Sequence, residues 1–219
     1  MSLKTVLTAA ASVAVTVAAV SALNLSPARA AAESAFWVDP ETSAARWVAA
    51  NPGDYRAPVI KQRIAEVPQP RWYTTTNTAT VRSQVSAHVN AAAAAGKIPL
   101  MVVYNIPNRD CGGASSGGAP NHSAYRAWID EVAAGLGGKP AYIVLEPDVL
   151  PLMTSCQSAQ QQQETVESIA YAGKKLKQGS AQAKVFFDIG HSAWLSVDEA
   201  VSRLQRADIH NSADGISTN

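Results

Sequence analysis

Apolar and polar positions fall into blocks along this chain, and each block predicts an element. The first is an apolar run from Val6 to Leu23 behind Lys4, broken by Ser12, Thr16 and Ser21 and followed by the small-x-small site Ala28-Arg29-Ala30. That layout predicts a secretory signal peptide over residues 1–30, with an uncleaved membrane anchor as the weaker alternative. Residues 31–219 then read as one domain. A helix runs from Thr42 to Ala50 and stops before Asn51-Pro52-Gly53. Beyond it, β-rich runs at Arg71–Thr74, Ile98–Tyr104, Ala141–Leu145 and Val185–Asp188 alternate with helical stretches at Val81–Ala95, Ser123–Leu136, Gln160–Lys177 and Val197–Ala207. Strand and helix alternating at this spacing predict parallel strands joined by right-handed crossovers.

Met101-Val102-Val103 and Tyr142-Ile143-Val144-Leu145 are apolar at consecutive positions. The pattern predicts strands buried on both faces beneath helices, and a barrel or a doubly wound sheet fits it equally. A fifth strand begins near Gly215-Ile216-Ser217, whereas a closed parallel barrel needs about eight strands. The chain is therefore expected to be a small open sheet or part of a larger domain. With no polar tail or capping helix after Asp214, the larger domain is favoured.

Charge narrows the partners. Without Lys4 and Arg29 of the predicted signal, 16 basic and 17 acidic residues remain, a net charge of −1, which offers nucleic acid no basic face. An even pair of cysteines, Cys111 and Cys156, in an exported chain favours one disulfide over two free thiols. Two thiols so far apart, with no His at ligand spacing, do not make a zinc site, so no metal is expected. No Gly-x-Ser-x-Gly elbow is placed between a strand and a helix, and His-Glu-x-x-His is missing. The glycine-rich stretch Gly112–Gly118 lacks the spacing of a phosphate cradle and reads as a surface linker or a mobile loop over substrate. No cofactor is implied.

What remains is carboxylate chemistry at the carboxyl ends of the strands, where parallel α/β folds build their sites. The second run leads into Asn108-Arg109-Asp110-Cys111, the third into Glu146-Pro147-Asp148, and the fourth ends at Asp188 before Gly190-His191. Any one such acid reads as a cap or a solvated loop end as readily as a catalyst; three in register point to a site. A Cys111–Cys156 bridge would tie the two acid-bearing loops together at one rim. Among the tryptophans, Trp47 and Trp128 fall within helices and read as core. Trp72 and Trp194 lie near strand ends, where sugar rings could stack on them. His88, His122 and His210 read as helix or chain-end residues, and only His191 is placed to matter.

Two stretches, Val103-Tyr104-Asn105-Ile106-Pro107-Asn108-Arg109-Asp110-Cys111 and Ile143-Val144-Leu145-Glu146-Pro147-Asp148-Val149-Leu150-Pro151, closely resemble the signatures of glycoside hydrolase family 6, the secreted endo-β-1,4-glucanases and cellobiohydrolases. Phe36–Pro40 with Ala44–Trp47, and Asp188–Trp194, are similar to further family segments. The resemblance implies a distorted (β/α) barrel of parallel strands, incomplete here because the chain ends early, and hydrolysis of β-1,4-glucan with inversion. It implies that Asp148 is the general acid and that Asp110 tunes it and acts as base through water. It places Tyr104 beneath the sugar at the cleavage point and Ser116 at the catalytic water. Trp72 is a stacking candidate, and Asp188, His191 and Trp194 match substrate-binding positions; Cys111 and Cys156 match a family disulfide. Inversion calls for carboxyl groups roughly 6.5–9.5 Å apart. The partner is cellulose or its oligosaccharides, met outside the cell by a monomer with no membrane contact after signal cleavage. The alternatives are a non-catalytic glucan-binding fragment lacking the rest of the cleft, and the same chemistry on another polysaccharide. Internal versus chain-end attack depends on loops over the cleft.

Overall fold

The computed structural model describes residues 34–218, and the predicted signal peptide lies outside them. The elements in order are α1 (Ser43–Ala50), α2 (Ala57–Ile60) continued by a π-helical turn (Lys61–Ala65), β1 (Arg71–Tyr73), α3 (Thr78–Ala94), β2 (Leu100–Val103), a 3-10 turn (Asp110–Gly112), α4 (His122–Leu136), β3 (Ala141–Leu145), α5 (Val149–Cys156), α6 (Ala159–Gly179), β4 (Ala183–Asp188), α7 (Val197–Arg206), α8 (Ile209–Ser212) and β5 (Gly215–Ser217). Among the described residues no helix is long and apolar enough to cross a membrane.

The strands form one sheet in the order β1-β2-β3-β4-β5, every pair parallel. The fifth strand anticipated at Gly215 is present. Sequential order decides between the two architectures left open above: with no reversal of strand order, right-handed crossovers put every connecting helix on the same face, as in a barrel wall. The sheet is open, an arc of the parallel barrel expected.

Burial follows the period of two along the strands. Tyr73, Met101, Val103, Ile143, Leu145, Val185 and Phe187 share the helix-covered face and are at most 5% exposed. The opposite face corrects the expectation of burial on both sides in part: Val102 is 3% exposed, as expected, but Trp72 is exposed, Tyr142, Val144 and Phe186 are half-buried and Lys184 is exposed. Helices cover one face only, and the apolar side chains of the other line the hollow of the arc, where Tyr142 stacks on Phe186 at 5.6 Å between ring centroids.

Trp128 and Tyr125 of α4 are fully buried at the centre of the helix-side core. Trp128 also donates from its indole nitrogen to Asn77 Oδ1 at 3.3 Å. Gly135 lets α4 approach α3, since a Cβ there would lie 2.7 Å from the Cβ of Val85. Trp47 is not core: α1 has no buried residue, and its tryptophan is half-buried beneath the Arg56 guanidinium, 5.3 Å from the ring centroid.

His88 on α3, read from sequence as a helix-face residue, is buried against Trp37 and 3.8 Å from Asp39 Oδ2, which pairs with Arg71. Burial is the main cause that pushes its imidazole down to about 4, so it is neutral.

Candidate active site

Because all strands are parallel and sequential, their carboxyl ends form one rim, ordered from Thr74 through Tyr104, Glu146 and Asp188 to Ser217. The acids named from sequence lie along it.

β3 leaves the sheet by a turn with two residues in the left-handed region, Glu146 (φ 51°) and Asp148 (φ 66°). Such residues persist only where surroundings hold them. The Asp148 amide donates to Asp188 Oδ1 at 2.8 Å, and the same oxygen accepts from Gly190 N–H at 3.0 Å. Asp188 Oδ2 accepts from Ser217 Oγ at 2.9 Å. Asp188 is thus 4% exposed with both oxygens engaged, and it faces the Asp148 backbone rather than solvent. The side chain of Asp148 caps nothing on α5, and its Oδ1 is buried without a hydrogen-bond partner. Burial raises its pKa above the usual carboxylate range, the charges of Asp188 and Asp110 raise it further, and His191 opposes them. A carboxyl with raised proton affinity and an uncommitted oxygen is suited to donate a proton.

Asp110 sits in the turn after β2, also left-handed (φ 59°), as is Cys111 (φ 49°). Asp110 Oδ2 accepts from the Ser115 amide at 2.7 Å, and Gly113 is required beside it, because a Cβ there would lie 2.5 Å from that oxygen. Cys111 and Cys156 form the disulfide. Cys156 ends α5 rather than lying in a loop, so the bridge joins the Asp110 turn to the far end of the helix that Asp148 begins. The sequence reading missed α5.

Tyr104 is buried at the end of β2, with its ring edge-on to Trp72 at 6.1 Å and the Arg109 guanidinium 4.7 Å above its centroid. Trp72, 54% exposed on the open face of β1, borders a cavity of about 350 Å³ with Thr74, Asn77 and Gln84. His191 and Trp194 lie past β4 with rings 5.1 Å apart; Gly190 (φ 69°) lets the indole fold against the backbone. Ser116 is exposed on the glycine-rich loop. One rim therefore brings the sequence-named residues together as a line of acids flanked by aromatic rings.

Two residues inside the quoted motifs were given no role from sequence. Glu146 is 1% exposed and accepts from the amides of Asn105 and Ile106. Arg109 donates to carbonyls of three separate segments. Burial, outweighing those two amide bonds, pushes the Glu146 carboxyl up from 4.5 to about 7. The folded chain then keeps a proton the unfolded chain releases, so stability is expected to fall as pH rises from about 4.5 through about 7. Thermal melts at pH 5 and pH 8 check this: the parent should melt lower at pH 8, and Glu146→Gln should flatten the slope whatever it does to the absolute value.

Comparison with known proteins gives this geometry its family. The sequence model described as "Glycosyl hydrolases family 6" matches residues 31–219. "Endoglucanase A" of Thermobispora bispora is 63% identical over 187 residues, 85% of this chain and 41% of that protein. "Endoglucanase 1" of Streptomyces sp. (strain KSM-9) is 43% identical, over 79% of this chain and 48% of its own length. The chain thus spans under half the length of these curated relatives. Among solved structures, the endoglucanase Cel6 from Mycobacterium tuberculosis, in complex with methyl-cellobiosyl-4-deoxy-4-thio-β-D-cellobioside, is similar with a TM-score of 0.77 and 39% identity, over 84% of this chain and 61% of that one. The catalytic core of the cellobiohydrolase Cel6A from Chaetomium thermophilum, 24% identical with a TM-score of 0.67, shares the fold. On the family match across residues 31–219 and the 63% identical relative, the chain belongs to glycosyl hydrolases family 6.

Proposed function

We propose that this chain is part of a secreted catalytic unit that hydrolyses β-1,4-glucosidic bonds of cellulose or related glucan with inversion. Asp148 protonates the leaving oxygen. Asp110 raises the proton affinity of Asp148 and acts as base through water. Ser116 helps hold that water, Tyr104 lies beneath the reacting sugar, and Trp72, His191 and Trp194 bind the glucan. Asp188, in this reading, serves chiefly by holding the Asp148 backbone. The observation that carries the proposal is the Asp148 carboxyl: half-buried, with Oδ1 enclosed and free of hydrogen bonds, and repelled by two neighbouring carboxylates. The cellobioside analogue bound by the Mycobacterium tuberculosis neighbour supports the choice of glucan.

Release of soluble sugar from amorphous cellulose tests the activity, and the anomer first seen by proton NMR tests the stereochemistry. The α-anomer is expected; a β-anomer first product would overturn inversion. A chain that binds cellulose and releases no sugar would instead be the glucan-binding fragment.

The pH dependence follows from the same charges. Hydrolysis needs Asp148 protonated, so the rate falls as pH rises through its pKa. Asp110→Asn removes a repelling charge and lowers that pKa, so the alkaline limb of kcat is expected to move to lower pH. A limb that stays in place would separate Asp110 from the acid.

A further inference from the structure

One peptide unit under the site is gripped from both sides. The carbonyl of Tyr104 accepts from Arg109 Nη1 at 2.7 Å, and the N–H of the same peptide, carried by Asn105, donates to Glu146 at 3.0 Å (Oε1) and 3.2 Å (Oε2). The next amide, Ile106, donates to Glu146 Oε2 at 3.1 Å. Glu146 is itself held by its own amide, which donates to Val103 O at 2.8 Å, and stands two residues before Asp148. Arg109 reaches further: Nη1 also donates to Thr74 O at 3.0 Å, Nε to Ser115 O at 2.7 Å and Nη2 to Ser116 O at 3.4 Å. Gly117 accommodates this, since a Cβ there would lie 3.2 Å from Arg109 Nη2.

We infer that Arg109, the Tyr104–Asn105 peptide and Glu146 form a relay that couples the position of Tyr104 to the Asp148 turn on one side and to the Ser116 loop on the other. Arg109 and Glu146 are positioning residues, and neither needs to touch substrate. A donor on the carbonyl and an acceptor on the N–H of one amide polarise it in the same direction, so each strengthens the other's hydrogen bond. The fork of Arg109 is what allows one cation to hold three segments at once, which an ammonium on a flexible stem does not reproduce. The proposal rests on the roles given above to Tyr104, Ser116 and Asp148.

The test compares the parent chain with Arg109→Lys, Glu146→Gln and the double variant, reading amide hydrogen exchange at Asn105 and Ile106 together with kcat and KM on cello-oligosaccharides. Arg109 touches only the carbonyl side of the peptide. A local role for it would leave the Asn105 amide unchanged; the relay predicts exchange there about tenfold faster in Arg109→Lys, as in Glu146→Gln. Each single variant should lose about tenfold in kcat with KM within about twofold, and the double should be no worse than the poorer single by more than about threefold. Unchanged Asn105 exchange in Arg109→Lys, or additive losses, would overturn the relay. Asp148→Asn separates the two readings, because it should lower hydrolysis about 10³-fold without altering exchange at Asn105. If the parent hydrolyses nothing, the exchange result alone decides the relay. Should Glu146→Gln fail to fold, Arg109→Lys at its half-buried position still reads the Asn105 amide.

Discussion

Asp148→Asn is expected to lower glucan hydrolysis by about 10³-fold, in kcat rather than KM, because a missing general acid costs 10²–10⁴-fold and acts on the transition state alone. The substitution isolates chemistry from folding. Asparagine has the same shape, and it tolerates the left-handed backbone that Asp148 adopts at φ 66° better than most residues. The side chain of Asp148 makes no capping bond to α5, and what holds the turn is its amide on Asp188, which the substitution leaves in place. Melting temperature should therefore change little. A second substrate sharpens the result: a cellobioside with a dinitrophenolate leaving group departs without a proton, so on it the loss should shrink to about tenfold or less. Equal loss on both substrates would mean that Asp148 acts on binding or structure, and parent-like activity on cellulose would remove it from the mechanism.

The alternation of apolar runs and helical stretches was enough to place all five strands and the four long crossover helices, because each carries its own period. What escaped was structure without a period. α5 is short, begins at a left-handed aspartate and holds Pro151 in its first turn, where a missing N–H costs nothing, yet Pro147 and Pro151 make the segment read as loop. Which strand face the helices cover was equally hidden: Val102 and Val103 are alike as residues, and only the strand order assigns one to the helices and the other to the hollow. Trp47 misled for a related reason, since its helix packs on the α2 and π-helical segment instead of on the sheet.

The acids of the site were legible as strand-end residues, and the motif resemblance separated their jobs. Glu146 was the acid passed over, although it precedes Asp148 by two positions. Its partners, the amides of Asn105 and Ile106, lie 41 and 40 residues away in sequence, so nothing local distinguished it from a solvated loop end.

Replacing both cysteines, Cys111→Ser with Cys156→Ser, is expected to cost about 4 kcal/mol of stability by the chain-entropy account of a crosslink spanning 45 residues. For a unit of this size that corresponds to a fall in melting temperature on the order of 10 °C. Melts of the oxidised parent, the reduced parent and the double variant check it: the last two should agree, and a double variant melting within about 2 °C of the oxidised parent would overturn it. Activity carries the more specific expectation. Asp110 and Cys111 are consecutive non-glycine residues in the left-handed region, a conformation that costs of order 1–3 kcal/mol each unless the surroundings impose it. The disulfide to α5 is one of the restraints that impose it, and the Asp110–Ser115 bond is another. Freed from α5, the turn should relax away from the conformation in which the Asp110 charge acts on Asp148. Activity per folded molecule at 25 °C should then drop about tenfold, and the alkaline limb of the pH profile should move down as it does in Asp110→Asn. If activity per folded molecule survives while the melting temperature falls, the bridge only limits the unfolded chain, and the geometry of Asp110 is set by its hydrogen bond to Ser115 and by the close fit of Gly113.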